Sequence, residues 1–347
     1  MSAPAKPGAA RFLLTAIAVL MLVAGCSAAS GAARGPSARR SATRPAATSE
    51  SSMAGGTAAS AALATRRAAA ERSGAPSCDP TASLRPAAPP RVTAGSFMAK
   101  IRARGYLIAG VDPTRYHFSY VNPVNGQFQG FEIDLLHAIT AAIFGNPNDI
   151  RFRPLQDAQR IPALQTGAVD IVAQDFVITC ARLKVIDFSS VYLDSGQEVL
   201  VESDSPVKHV TSLGQLGGKK VCAVTGSLSL ANIAAATPHP IPVAAPYWTD
   251  CMVLLQQGDV AAVSTVSTVL VGLADQDPYA RIVSPPLNSE PEGLGISRLH
   301  PDFVRFVNAV LAQMHSDGHW AASYARWIGT PVPAPPPVRY SGSSKEP

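Results

Sequence analysis

Charge is scarce in this chain. Asp, Glu, Lys and Arg make up 15% of its 347 residues and aromatics 6%, while 47% are hydrophobic. That balance excludes a wholly disordered chain and leaves room for one or two domains with substantial cores. Long apolar runs are also missing: Phe12 to Val23 has about half of the roughly 20 residues that a bilayer-crossing helix needs, and no later stretch comes nearer. No two cysteines have CxxC spacing and no His lies at ligand spacing beside one, so no metal site is expected. GxSxG, HExxH and phosphate-loop patterns are absent, which leaves hydrolase, zinc-protease and nucleotide chemistry without a motif. No cofactor is expected, and a binding role is expected before an enzymatic one.

The formal charge of +5 is unevenly placed. Residues 98–347 hold 18 basic and 21 acidic side chains, so the excess of positive charge lies in residues 1–97 and the globular part lacks the basic surface of a nucleic-acid binder. Lys6 and Arg11 precede the run Phe12 to Val23, which ends in Val23-Ala24-Gly25-Cys26. This reads as a secretory signal over residues 1–25. Small residues before a cysteine resemble the lipobox of bacterial lipoproteins, which implies that Cys26 is acylated and anchors the chain at the extracytoplasmic face of the cell membrane. Four further cysteines, Cys78, Cys180, Cys222 and Cys251, form an even set in an exported chain, so two disulfides are expected, in any of three connectivities.

Residues 26–97 are dominated by Ala, Ser, Arg, Pro and Gly and read as a disordered tether; the Pro-rich residues 331–347 read as a second extended tail. Between them, short apolar runs alternate with amphipathic segments, the pattern of an α/β fold. Tyr106 to Val111 and Ile150 to Leu155 predict strands, and Phe131 to Phe144 predicts a helix with Phe131, Leu135, Ile139 and Ile143 on one face. A short helix over Ile161 to Gln165 leads to a strand at Val169 to Ala173, ending in Gln174 and Asp175. A second cycle follows Glu198 to Glu202: Lys219 to Val224, a helix from Leu228, Ile241 to Ala245, a helix over Thr249 to Gln256, and Val260 to Ser264. Leu294 to Ser297, Asp302 to His315 and Trp320 to Ile328 read as a strand and two helices.

Several segments together resemble the extracellular solute-binding proteins, family 3, of polar amino-acid ABC importers, glutamine-binding proteins among them. They are Gly130-Phe131-Glu132-Ile133-Asp134-Leu135, Pro162 to Asp170, Ile178-Thr179-Cys180-Ala181-Arg182 with Ile186 to Tyr192, Gly218 to Val221 with Thr225-Gly226-Ser227, and Asp317 to Trp320 with Arg326-Trp327. The resemblance implies a two-lobed periplasmic-binding fold of type II, each lobe a mostly parallel sheet flanked by helices. Lobe 1 would hold residues 98–200 with 293–330 and lobe 2 residues 205–288, joined by two hinge crossovers near 200 and 290. It also implies disulfides within lobes, Cys78 with Cys180 and Cys222 with Cys251. The implied partners are a small polar solute, carboxylate-bearing, and an ABC-importer permease; the chain is expected to be a monomer.

A free amino acid needs a cation or N–H donors for its carboxylate, a carboxylate for its ammonium, and apolar walls. Arg182 aligns with the family's clamp arginine. Thr225, Gly226 and Ser227 lie between a strand and a helix, where free N–H groups receive an anion. Asp112 and Phe118 align with a cleft aspartate and an aromatic wall; Asp175 and Phe176, next to Gln174, sit on the loop before Arg182; Thr265 ends a lobe 2 strand. Two positions depart from the family: Val177 where a hydroxyl residue is common, and Val266 where the ammonium-binding aspartate usually stands. Three accounts follow: the ammonium is taken by Asp175 or Asp112, the solute lacks an amine, or transport-type binding is lost. A ligand sensor of the same fold, signalling to a membrane partner, is the alternative function. A cyclohexadienyl-dehydratase-like enzyme, using Asp175 or Glu292 as acid or base, is the distant one.

Overall fold

The computed structural model describes residues 78–341, so Cys26 and the N-terminal signal lie outside the described residues. Two five-stranded sheets organise the chain. In lobe 1 the order is Ile150–Pro154, Leu107–Val111, Ile171–Val172, Gly295–Ile296, Asp187–Phe188. The first three strands run parallel, and Gly295–Ile296 runs antiparallel to both its neighbours. Lobe 2 repeats the plan with Ile241–Ala245, Lys220–Val224, Ala262–Val266, Gln197–Glu202 and Ala280–Ile282, again parallel over the first three.

The helix Phe131–Phe144 forms where periodicity placed it, and Phe131, Leu135, Ile139 and Ile143 are all buried in the lobe 1 core with Leu107, Phe303 and Trp320. Its C-terminus stops at Gly145, whose φ of 81° is one that glycine adopts without strain. Lobe 2 has its own core around Val221, Trp248, Leu255, Val263 and Leu270. The helix Ser267–Ala274 within it was not anticipated, because the β-branched Thr268, Val269 and Val271 favour extended chain and only burial makes the segment helical.

The crossovers are the antiparallel strands Leu193–Ser195 and Glu290–Glu292. Lobe 2 therefore begins at Gln197, earlier than the expected 205, since the strand Gln197–Glu202 pairs with Ala262–Val266. Of the expected tether only residues 78–97 and of the expected tail only 331–341 are among the described residues, and these are held against lobe 1. Ala82–Ser83 pairs with Arg339–Tyr340, Leu84, Val92 and Val332 pack on the lobe 1 core, and Asn308 Nδ2 donates to Ser83 Oγ at 2.9 Å and to the Leu84 carbonyl at 2.7 Å. Average composition hid a few apolar anchors inside a polar, Pro-rich stretch. The disulfides join Cys78 to Cys180 and Cys222 to Cys251, each inside one lobe.

Candidate functional site

Ligand sites in such sheets lie beyond the carboxyl ends of parallel strands. Here those ends deliver Asp112 after Leu107–Val111, Asp157 after Ile150–Pro154, Gln174 and Asp175 after Ile171–Val172, Thr225 to Ser227 after Lys220–Val224, and Thr265 and Val266 at the end of Ala262–Val266. The lobes meet there. Arg115, Asp157, Asp175 and Arg182 from lobe 1 face Ser227, Trp248, Thr265 and Val266 from lobe 2 across a cavity of about 10 Å³. That is the room of about one water, so an amino acid enters only if the hinge parts the lobes.

Arg115 is the hub of the site. It is 4% exposed, and all three guanidinium nitrogens are engaged. Nε donates to Asp112 Oδ2 at 3.2 Å, Nη1 to the Gln174 carbonyl and to Asp175 Oδ2, both at 2.7 Å, and Nη2 to Asp157. Burial works against this charge, but the carboxylates of Asp157, Asp175 and Asp112 outweigh it and hold the arginine well above its ordinary range. Arg160, also buried, pairs with Asp157 Oδ2 at 2.9 Å and donates to the Gln174 carbonyl at 3.0 Å. Its own pKa is lowered, chiefly by burial.

Arg182 differs from both. It starts from a four-residue helix, Cys180–Leu183, whose cap Thr179 accepts the Arg182 N–H. Nη1 donates to the Val177 carbonyl at 2.5 Å and Nη2 to Gly226 O at 3.3 Å. Among the described residues no carboxylate lies within ion-pair distance of it. Burial and the neighbouring Arg160 charge push it down to about 9, which leaves it cationic at neutral pH. Phe176 packs against both guanidinium groups, with centroid distances of 4.3 Å to Arg160 and 4.8 Å to Arg182.

The other expected site residues divide. Asp175, which adopts a left-handed φ of 40°, and Thr265 line the cavity; Asp175 Oδ1 is buried and has no hydrogen-bond partner. Burial raises the Asp175 pKa against the pull of Arg115. Asp112 is a turn cap, its Oδ1 accepting from Thr114 N at 2.9 Å and Oγ1 at 2.7 Å, and it stands behind Arg115 instead of lining the cavity. Phe118 is core, edge-on to Phe131, and borders a separate 230 Å³ pocket with Ser267 and Tyr324. Of the turn's three N–H groups expected to be free, two are taken: Thr225 N–H donates to the Ala245 carbonyl and Ser227 N–H to the Val224 carbonyl, which leaves that of Gly226. Gly226 instead presents its carbonyl to Arg182 and Arg160. Ser227 still lines the cavity while its Oγ caps the helix Leu228–Ala235.

Behind Asp175 lies an acidic cluster. The Tyr192 hydroxyl donates to Glu132 Oε1 at 2.6 Å, the Asp175 N–H donates to the same oxygen at 2.9 Å, and Ser195 Oγ donates to Glu292 Oε1 at 2.5 Å. Burial, reinforced by the Asp175 charge, pushes Glu132 up to about 8 and Glu292 well above the carboxylate range. At neutral pH Glu132 is therefore held largely protonated, and Glu292 is shifted in the same direction. Sequence reading missed Arg115, Asp157, Arg160 and Trp248; apart from the neighbouring Asp112, nothing local marks an arginine whose other partners, Asp157 and Gln174-Asp175, come from two distant segments. A larger groove, about 710 Å³, lies on lobe 1 along Ala138, Ala141, Ala142 and Met314, but no buried charge converges on it.

Fold and cleft together define a two-lobed solute-binding protein, a class that binds instead of catalysing. Residues 107–330 match the bacterial extracellular solute-binding proteins, family 3, and the chain belongs to that family. It is 32% identical over 231 residues to the ABC transporter glutamine-binding protein GlnH of Bacillus subtilis, covering 67% of this chain and 84% of that one. Among solved structures it resembles a P235GK mutant of ArgBP from T. maritima, at 27% identity and a TM-score of 0.63, over 67% of this chain and 99% of the other. The cysteine-binding protein from Campylobacter jejuni, at 23% identity and a TM-score of 0.64 over 69% and 97%, shares the fold.

Proposed function

We propose that this protein captures an amino acid between its lobes and delivers it to an ABC importer, acting as a monomer tethered at the extracytoplasmic membrane face through acylated Cys26. Relatives named for glutamine, glutamate and arginine support the solute class. The observation that carries the reading is a pair of unmet groups in one cavity: Arg182, a cation without a carboxylate, and Asp175 Oδ1, a buried acceptor without a donor. Arg182 takes the α-carboxylate by a charge-assisted fork. Asp175, from lobe 1, takes the ammonium in place of the aspartate that Val266 replaces. Thr265 and Trp248 supply lobe 2 walls.

Within the ion-paired cluster, Asp112, Asp157 and Asp175 against Arg115 and Arg160 leave one negative charge beside the positive charge of Arg182, while the buried Glu290 carboxyl, its pKa raised chiefly by burial, also feels Arg182. Calorimetry with an amino-acid panel on the full chain tests this. Arg182→Ala abolishes binding, and Asp175→Asn weakens an amino acid by at least about tenfold more than the matching acid without its amine. Binding unaffected by Arg182→Ala would remove the cleft as the site. Val266 and Val177 favour a second reading, a carboxylate solute without an amine; then Asp175→Asn leaves affinity unchanged or improves it.

A further inference from the structure

Arg115 brings a positive charge into the cleft from the protein itself. It lines the interlobe cavity, is buried, and closes on Asp112, Asp157 and Asp175 together. Those carboxylates project from the ends of three strands of one sheet, and the short strand Thr114–Arg115 lays the guanidinium across them. A guanidinium is the planar, multi-donor group that satisfies several carboxylates at once. A solute carrying a guanidinium or a second ammonium on its side chain needs the same carboxylates.

We propose that Arg115 is a specificity-determining residue, an internal cation that occupies the acidic end of the cleft and excludes solutes with a cationic side chain. The inference rests on the cleft being the solute site. With Arg115 in place the lobe 1 carboxylates have charge for one solute cation, the ammonium. Without it they have charge for two. Glu132 behind them, held largely protonated at neutral pH, does not alter that count. The donors of Arg115 are replaced one for one by an incoming guanidinium, so its removal creates a site instead of merely emptying one.

The test is calorimetry and thermal denaturation of the full chain with glutamine, glutamate, arginine and ethylguanidinium. Wild type binds arginine at least about tenfold more weakly than glutamine or glutamate, and ethylguanidinium leaves its Tm unchanged. Arg115→Ala gains at least about tenfold in affinity for arginine and ethylguanidinium, and ethylguanidinium raises its Tm. Wild type binding arginine as tightly as glutamine, or a folded Arg115→Ala with no gain for either cation, overturns the proposal. If Arg115→Ala folds only in the presence of ethylguanidinium the proposal stands; if neither cation restores its folding, it falls. Failure of the amino-acid reading looks different: no amino acid binds wild type, while ethylguanidinium still binds Arg115→Ala.

Discussion

The buried carboxylates around Asp175 set a pH dependence that belongs to single residues. Glu132 ionises at about 8 in the folded chain, because burial and the Asp175 charge disfavour its anion, whereas an unfolded glutamate ionises near about 4.3. The folded state thus binds more protons between those values, and stability falls as pH rises. Its contribution is complete below the unfolded pKa and lost through about 8. Thermal denaturation from about pH 5 to about pH 9 shows a falling Tm, and Glu132→Gln, which keeps the acceptor for Tyr192, makes the fall shallower. Asp175 and Glu292, raised in the same direction, preserve part of it. An unchanged slope in Glu132→Gln would place the titration elsewhere. At this scale the sequence was legible where a residue ends a strand or sits in a motif, as for Asp175, Thr265 and Arg182. Arg115 and Arg160 were not, because each combines one neighbouring aspartate with partners that meet it only in three dimensions, Asp157 and Asp175 for Arg115 and the Gln174 and Gly226 carbonyls for Arg160.

Between residue and lobe stands the helix that carries Arg182. Cys180–Leu183 buries no side chain, so packing alone does not fix it. Thr179 caps its first turn, and Cys180 ties it to Cys78, 102 residues earlier, at a Cα separation of 5.8 Å. Cys78 is in turn held by the pairing of Ala82–Ser83 with Arg339–Tyr340 and by Ser83 Oγ donating to the Phe188 carbonyl at 2.8 Å. Cys78→Ser with Cys180→Ser accordingly loses about 2 to 4 kcal/mol in urea denaturation and speeds amide exchange at residues 180–183. Thr179→Ala costs about 1 kcal/mol and affects the same amides. Exchange that quickens everywhere equally would mean that the clip stabilises the chain without positioning the helix. Periodicity located most of the elements, Phe131–Phe144 and Ile241–Ala245 to the residue. It missed the ordered segments flanking the globular region, where a few anchors such as Leu84 and Val332 are diluted by Ala and Pro.

Across the whole molecule, function turns on how closely two separate cores approach. Among the described residues, the contacts between the lobes at the cleft mouth include Gly226 against Ala158, Gly272 against the Tyr116 carbonyl, and His117 Nε2 to Asp275 Oδ2 at 2.8 Å. The two glycines are not equivalent probes. Gly226 has a φ of 85°, so a side chain there strains the turn as well as the interface. Gly272 lies inside the helix Ser267–Ala274, where alanine is favoured by about 1 kcal/mol, and the nearest atoms a Cβ would meet all belong to Tyr116 of the other lobe, its carbonyl oxygen at 2.6 Å. Gly272→Ala therefore separates a cost in closure from a cost in folding. Lobe 2 keeps its core, Tm holds or rises, the radius of gyration in small-angle scattering increases, and solute affinity drops by at least about tenfold because Thr265 no longer reaches the solute held on Arg182. A variant that scatters as wild type does and binds with unchanged affinity would show that Tyr116 yields without moving its lobe, and the hinge would then close on some other contact.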